Sequence, residues 1–261
     1  MENLEKKKAA FAELLEIIET LRVKCPWDKE QTMESLRGLS IEEVYELGDA
    51  ILMGNWEEVK KELGDLFMHI VFYAQIGEEQ ALFDIADVLD GICEKLKYRH
   101  PHIYGDVEAH DAQTVLKNWE QLKLKEKGRK HRVLEGVPRS LPALVKAYRI
   151  QDKARGIGFD WEQKEDVWNK VKEELQEFEQ EVKHANSSNM EEEFGDLLFA
   201  MINVARLYGI NPENALEKTN QKFIQRFGYM EEEVQKNGRV LKDLTLAEMD
   251  QLWEEAKKNL R

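Results

Sequence analysis

Proline and glycine are scarce in this sequence of 261 residues, at 5 and 15. So few chain breakers over that length argue against a loop-rich β architecture and favour long helices. Cysteine is almost missing: Cys25 and Cys93 form neither a CxxC pair nor a disulfide framework, so two reduced thiols in a cytoplasmic protein are expected. No run approaches the ~18 apolar residues of a membrane span. Residues 1–6 mix acids and bases and lack the apolar stretch of a signal peptide. A cationic surplus is missing as well. With 38 Lys and Arg against 52 Asp and Glu, the net charge is −14, and the mean field repels phosphate. General binding to nucleic acid or to an anionic membrane is therefore not expected. A phosphorylated ligand would need local cations or a metal, and surplus carboxylates are raw material for binding Mg²⁺. Hydrophobic residues at 42% suffice for a core, and the length suits one large domain or two ordinary ones.

The apolar periodicity is helical nearly throughout. Phe11, Leu14, Leu15, Ile18 and Leu21 recur at steps of three and four, and Cys25-Pro26 ends that helix. Ser40-Ile41-Glu42-Glu43 reads as a capping box opening a second helix. Gly54-Asn55 stops it, and Asn55 caps a third, with Val59, Leu63, Leu66, Phe67, Ile70, Val71 and Ala74 on its apolar face and Gly77 at its end. A fourth carries Val88, Leu89, Ile92 and Leu96 and ends near His100-Pro101. A charged segment, 114–125, also reads as helical. The stretch 126–139 is basic, aperiodic and rich in breakers, and reads as a linker between an N-terminal domain, 1–125, and a C-terminal domain, 140–261. After it come a short helix broken at Gly156-Ile157-Gly158, long helices near 163–184, 189–208 and 212–236, and a last one opened by the capping box Thr245-x-x-Glu248. No window alternates, so no sheet is expected and the fold class is all-α.

The two halves repeat each other. Glu42-Glu43-x-x-Glu46 with Glu62-x-x-Asp65 returns as Glu173-Glu174-x-x-Glu177 with Glu193-x-x-Asp196. The offsets 174 − 43, 177 − 46, 193 − 62 and 196 − 65 are all 131. Glycine precedes the aspartate in both copies, at Gly64 and Gly195, where it suggests close approach by a helix or ligand. Lys95 and Arg99 resemble Lys222 and Arg226, and Trp27-Asp28 sits where Phe159-Asp160-Trp161 sits in the second half. Duplication of one helical unit accounts for all of this.

Residues three apart share a helix face. Glu43 and Glu46 therefore form one acidic pair and Glu62 and Asp65 another, on consecutive helices that should pack antiparallel and let four carboxylates converge. Such a cluster repels itself and raises pKa values unless a cation neutralises it. Oxygen-only ligands suit Mg²⁺, with Mn²⁺ as a substitute, rather than Zn²⁺. Mg²⁺ is usually shared with substrate phosphates, which points to hydrolysis of a phosphate ester or anhydride, with a spare carboxylate taking a proton from water. The pairs Lys222/Arg226 and Lys95/Arg99 each share a face and are placed to meet phosphates; Trp253 offers a surface to stack a base. A non-catalytic, nucleotide-binding helical regulator or scaffold is the competing reading, although binding alone does not need four convergent acids. A di-iron bundle would need Glu-x-x-His pairs, and here that spacing ends in Asp.

These residues resemble the MazG nucleotide pyrophosphohydrolases, of the all-α NTP pyrophosphatase group. The supporting segments are Cys25-Pro26-Trp27-Asp28-x-x-Gln31-Thr32, the two acid sets, Arg99-His100-Pro101-His102, Pro138-Arg139-Ser140-Leu141-Pro142-Ala143-Leu144 and Gly158-Phe159-Asp160-Trp161. The resemblance implies two tandem helical-bundle units and a homodimer that completes the sites. It implies Mg²⁺-dependent hydrolysis of NTPs and dNTPs, ATP among them, to the monophosphate and pyrophosphate, chiefly in the C-terminal half. By the motif match Glu174, Glu177, Glu193 and Asp196 are catalytic and hold metal, and Glu43, Glu46, Glu62 and Asp65 fill the equivalent metal positions. Lys170, Glu173, Glu192, Lys222, Arg226 and Trp253 would meet substrate, with Lys95 and Arg99 their first-half counterparts.

Overall fold

The computed structural model describes residues 2–108, 111, 114–115, 122, 132–161, 163–184 and 187–260. The described residues form helices joined by turns, with no strand among them. None of their helices is long and apolar enough to cross a membrane. The chain divides into two compact units, 1–123 and 124–261. The segment expected to be helical at 114–125 lies mostly outside the described residues, as do residues 126–131 of the expected linker.

The first unit runs α1 (Glu2–Lys24), α2 (Pro26–Glu30), α3 (Met33–Met53), α4 (Trp56–Glu79), α5 (Ile85–Arg99) and the single turn α6 (Pro101–Tyr104). The helix carrying Glu43 does not begin at Ser40. It begins seven residues earlier, where Thr32 accepts from Ser35 N and Ser35 Oγ accepts from Thr32 N, a capping box that uses serine in place of the usual glutamate. Ser40 lies inside the helix, its hydroxyl bonded to Leu36 O and lying 2.8 Å from Tyr73 Oη on α4. Nor does α4 stop at Gly77. That glycine is required because Phe83 returns over the helix: a Cβ there would lie 2.7 Å from the Phe83 ring and 2.9 Å from its carbonyl oxygen. Between α3 and α4 the chain reverses at Gly54, which adopts φ 68, and Asn55 Oδ1 caps α4. Ile18, Leu36, Val71, Phe72 and Ile76 form the core of the unit, and Phe11, Leu14 and Leu15 on α1 pack against it.

The second unit runs α7 (Ala143–Gly156), α8 (Lys164–His184), α9 (Ser187–Leu207), α10 (Pro212–Lys236) and α11 (Leu246–Asn259). Helix α9 starts two residues earlier than the spacing predicted. Val167, Val171, Ala200 and Val204 join α8 to α9, with Leu197 and Leu207 alongside. Thr245 and Glu248 cap α11 reciprocally, as expected. Val133–Gly136, within the stretch read as linker, is a 3₁₀ turn packed on α7.

Phe72 sits at the centre of the first core, 3% exposed, with the Arg22 guanidinium 5.4 Å above its ring. Truncation to alanine should cost about 3–5 kcal/mol, the usual range for a buried phenylalanine. Urea unfolding of Phe72→Ala reads this directly, and a loss below about 1 kcal/mol would contradict the packing described.

Candidate active site

In each unit the two-helix hairpin brings acids from both arms together. In the first, Glu43, Glu62 and Asp65 each place a carboxylate oxygen within 4.8 Å of the others. In the second the corresponding group is Glu174, Glu177 and Glu193. The trios are not the same positions: the first omits Glu46 and the second Asp196, although both remain in electrostatic reach of their neighbours.

The neutralising cation also differs. Lys61 lies 2.9 Å from Glu62 Oε1, beside a carboxylate only 3% exposed. The residue 131 further on is Glu192, so the second unit has no lysine there. Instead Lys170, one turn before Glu174, lies 2.7 Å from both Glu173 and Glu174. Its counterpart 131 earlier is Leu39. These pairs raise both lysines above their ordinary pKa, chiefly through their hydrogen bonds to the acids. In return Lys61 holds Glu62 below the usual carboxylate range. Glu43 is raised by burial and by Asp65 and Glu46, and Glu46 by burial and by Glu62. In the second unit Glu177 is raised by burial and by Glu174, and Glu193 by burial and then by Glu177 and Asp196.

The donor set fits a hard divalent cation. All the oxygens are carboxylate, and among the described residues the buried Glu62 Oε2 has no hydrogen-bond partner, an expensive state for a charged oxygen.

Beside the second cluster opens a cavity of about 610 Å³. Lys170, Glu174 and Asp196 stand on its wall with Asn203, Arg206 and the aromatic ring of Phe199. Gln151, Ala154, Phe159, Asp160 and Trp161 also face it, as does Leu134 from the 3₁₀ turn. Asp160 and Arg206 form a bidentate pair, with Arg206 Nη1 3.0 Å from Oδ2. Burial pushes the Asp160 carboxyl up, but the guanidinium outweighs it and the net shift is downward. The acids and the cavity therefore share Glu174 and Asp196.

The same space is differently furnished in the first unit. Positions 200 and 203 correspond, at 131, to His69 and Phe72, both buried. Counting from the matched Asp28 and Asp160, Ala154 corresponds to Arg22. Where the second unit has alanine, alanine and asparagine, the first has histidine, phenylalanine and an arginine over the phenylalanine ring. The copies thus disagree in side-chain size at three positions that border the cavity. Reading only where they agree misses Gln151, Asn203 and Arg206.

Other expected residues fall elsewhere. Lys222, Arg226 and Trp253 are not among the described residues on the cavity wall. They form their own group on α10 and α11, where the Trp253 indole lies 5.0 Å from the Phe223 ring and 5.8 Å from the Arg226 guanidinium. Glu173 and Glu192 are exposed at the rim of the acids, and Lys95 and Arg99 lie one turn apart on α5. The close approach expected at Gly64 and Gly195 is absent within the chain: among the described residues nothing lies within 4 Å of a Cβ built at either.

A family model for the MazG nucleotide pyrophosphohydrolase domain matches residues 31–104 and again 162–230. The chain belongs to the MazG family. The two matches of MazG contain the two acid sets, one each. Among MazG relatives, a nucleoside triphosphate pyrophosphohydrolase/pyrophosphatase MazG of Thermotoga maritima is 44% identical over 95% of this chain and 95% of its own length. A nucleoside triphosphate pyrophosphohydrolase of Escherichia coli K12 is 41% identical over 94% and 96%. YabN, an uncharacterized Bacillus subtilis protein, is 48% identical over 91% of this chain, which spans 49% of its length. Membership of MazG makes the chain an enzyme, a hydrolase of the nucleotide pyrophosphohydrolase type.

The raised carboxyls set a pH dependence. Glu177 and Glu193 have folded pKa values above their ordinary 4.5, so folding favours their protonated forms. Their stabilising contribution is complete below the unfolded value and is lost as pH rises through the folded one. The metal-free protein should therefore melt higher at mildly acid pH than the rest of the chain alone would dictate. Glu177→Gln should raise its melting temperature at pH 7 and weaken its stabilisation by Mg²⁺. Calorimetric melts with and without Mg²⁺ check both signs, and a variant that melts lower without metal would refute the repulsion.

Proposed function

We propose that this chain hydrolyses nucleoside triphosphates, both NTPs and dNTPs with ATP among them, to the monophosphate and pyrophosphate, and that its main site lies in the second unit, in the domain 140–261. One observation carries this reading: the acid cluster of Glu174, Glu177 and Glu193 opens onto a cavity large enough for a nucleoside, and the two share Glu174. The names of the relatives that this chain matches along nearly its whole length support the substrate class.

Glu174, Glu177, Glu193 and Asp196 would hold Mg²⁺, or Mn²⁺ in its place. When bound, the metal supplies charge neutralisation at the phosphates and a more acidic water. The chain's own carboxylates would orient the attacking water and take its proton, as its oxygen bonds to phosphorus and the α–β anhydride bond breaks to release pyrophosphate. Glu177 and Glu193, held above the ordinary carboxylate range, are the more basic acids of the cluster and so the better proton acceptors. Lys170 positions Glu174, with Glu173 beside it, for its role in that cluster. Glu192 extends the acidic rim, and Lys222, Arg226 and Trp253, being off the cavity wall, are assigned to phosphates or base brought by a second copy.

A homodimer is supported by a repeated exposed face. Leu63, Phe67 and Ile70 on α4 correspond at 131 to Phe194, Leu198 and Met201 on α9, and Val44 and Ile51 on α3 to Leu175 and Val182 on α8; all ten are exposed. Large apolar faces kept in both copies mark association surfaces, and an open glycine in each, Gly64 or Gly195, permits close approach. The acids of the first unit keep metal-binding chemistry, with Lys95 and Arg99 on α5 as the counterparts of Lys222 and Arg226. Two free cysteines and a net charge of −14 fit a cytoplasmic enzyme that does not bind nucleic acid or membrane.

The test is a panel of the common NTPs and dNTPs with Mg²⁺ or Mn²⁺ and product identification. Pyrophosphate release is expected; no turnover of any of them, or orthophosphate release, sinks the reading. Glu177→Ala should lower kcat/KM by more than the roughly 10–100-fold that losing a mere supporting partner costs a metal site. Glu46→Ala should leave turnover within about 3-fold, a scatter ordinary for a residue outside the reacting site. The reverse ranking would move the site to the first unit.

A further inference from the structure

The cavity wall holds two amides whose orientation is fixed from behind. Gln151, on α7, is 6% exposed. Its Nε2 donates to Phe199 O on α9 at 2.8 Å, which fixes the orientation of the amide. Its Oε1 is buried and accepts no hydrogen bond among the described residues. A buried unpaired carbonyl is a standing cost that a ligand N–H would remove. Asn203, on α9, is oriented by the opposite end. Its Oδ1 accepts from Arg206 Nε at 3.1 Å and from Nη2 at 2.7 Å, and Asp160 in turn holds the guanidinium. Asn203 Nδ2 is thereby left as a donor that makes no hydrogen bond among the described residues.

The wall thus presents one set acceptor and one set donor amid the rings of Phe159, Trp161 and Phe199. Every common nucleobase carries an N–H donor next to an acceptor on its Watson–Crick edge, together with flat faces for aromatic stacking. Phosphate and ribose match neither the amides nor the rings as well. The first unit lacks the pair of amides, since Phe72 stands at the position of Asn203.

We propose that Gln151 and Asn203 read the base edge of the substrate: Gln151 Oε1 accepts from the base N–H and Asn203 Nδ2 donates to the adjacent acceptor. The proposal rests on nucleotide hydrolysis in the second unit. It makes the pair a specificity-determining element, one that selects for an unsubstituted base edge rather than for one base. A site built to hydrogen-bond a substrate N–H rejects the analogue that lacks it, because the buried protein atom is then left unpaired.

The experiment compares matched substrates: ATP with purine riboside triphosphate, which lacks the amino group, and UTP with N3-methyluridine triphosphate, which lacks the ring N–H. The wild type should favour the unmodified member of at least one pair by about 10-fold or more in kcat/KM, expressed mainly in KM. Gln151→Met keeps the length of the side chain but removes the acceptor, and should bring that ratio towards one. Asn203→Asp keeps the oxygen that Arg206 needs and replaces the donor with an acceptor; it should raise KM for the unmodified nucleotides and change kcat little. Because Gln151 also ties α7 to α9, melting curves accompany both variants, and Asn203→Asp decides if Gln151→Met does not fold. Wild-type ratios near one in both pairs, or ratios and KM unchanged in the folded variants, overturn the base-edge proposal alone. Absence of any NTP turnover by the wild type overturns the hydrolase reading and this one with it.

Discussion

The structure depends on a conflict of charge. Each two-helix hairpin forces acids from both of its arms into a space where their oxygens lie within 4.8 Å of one another. The helical three-residue spacing and the short turn make this unavoidable once the acids are in the sequence. Burial and mutual repulsion hold Glu43, Glu46, Glu177 and Glu193 above the ordinary carboxylate range. A fold that keeps such a strain in two places retains it for what the acids do together, since surface acids would be free to move apart.

The two units relieve the strain differently, and the difference has a chemical consequence. Lys61 lies against Glu62 on the same arm, so the most buried acid of the first cluster carries its own counter-charge. Lys170 lies on the other arm and engages Glu173 and Glu174, leaving the acids of α9 without a lysine. Glu192 even adds a negative charge where the first unit has Lys61. A cation from solution therefore meets a less compensated field in the second cluster. That cluster also adjoins open volume, whereas in the first unit His69, Phe72 and Arg22 stand at the positions that border the opening in the second.

Most of the architecture was legible in the sequence. Apolar spacing locates the long helices, Gly54-Asn55 the central reversal of the first unit, and the offset of 131 the repeat. The misread elements share a cause. Ser40 and Gly77 favour helix boundaries by residue type, but tertiary contacts override that preference: Tyr73 engages the Ser40 hydroxyl, and Phe83 needs the space at Gly77. The acids of the site were legible because their spacing is local to one helix. The cavity was not, because Gln151, Asp160 and Asn203 come from separate segments, and only their packing makes them neighbours.

Duplication separates two requirements that a single-copy site would confound. A convergent acid cluster requires only the hairpin and its spacing, so it survives in both units whatever surrounds it. A nucleoside cavity requires small residues at positions that a helical bundle would otherwise fill, and it forgoes their apolar burial. In the first unit Phe72 contributes to the core with Val71 and Ile76. In the second the equivalent position is Asn203, which stands on the cavity wall beside Ala200, while Val167, Val171 and Val204 pack α8 against α9. Stability and binding thus compete for the same three positions, 22, 69 and 72 in one copy and 154, 200 and 203 in the other. A chain with two copies can place the packed solution in one unit and the open solution in the other, keeping the acids in both.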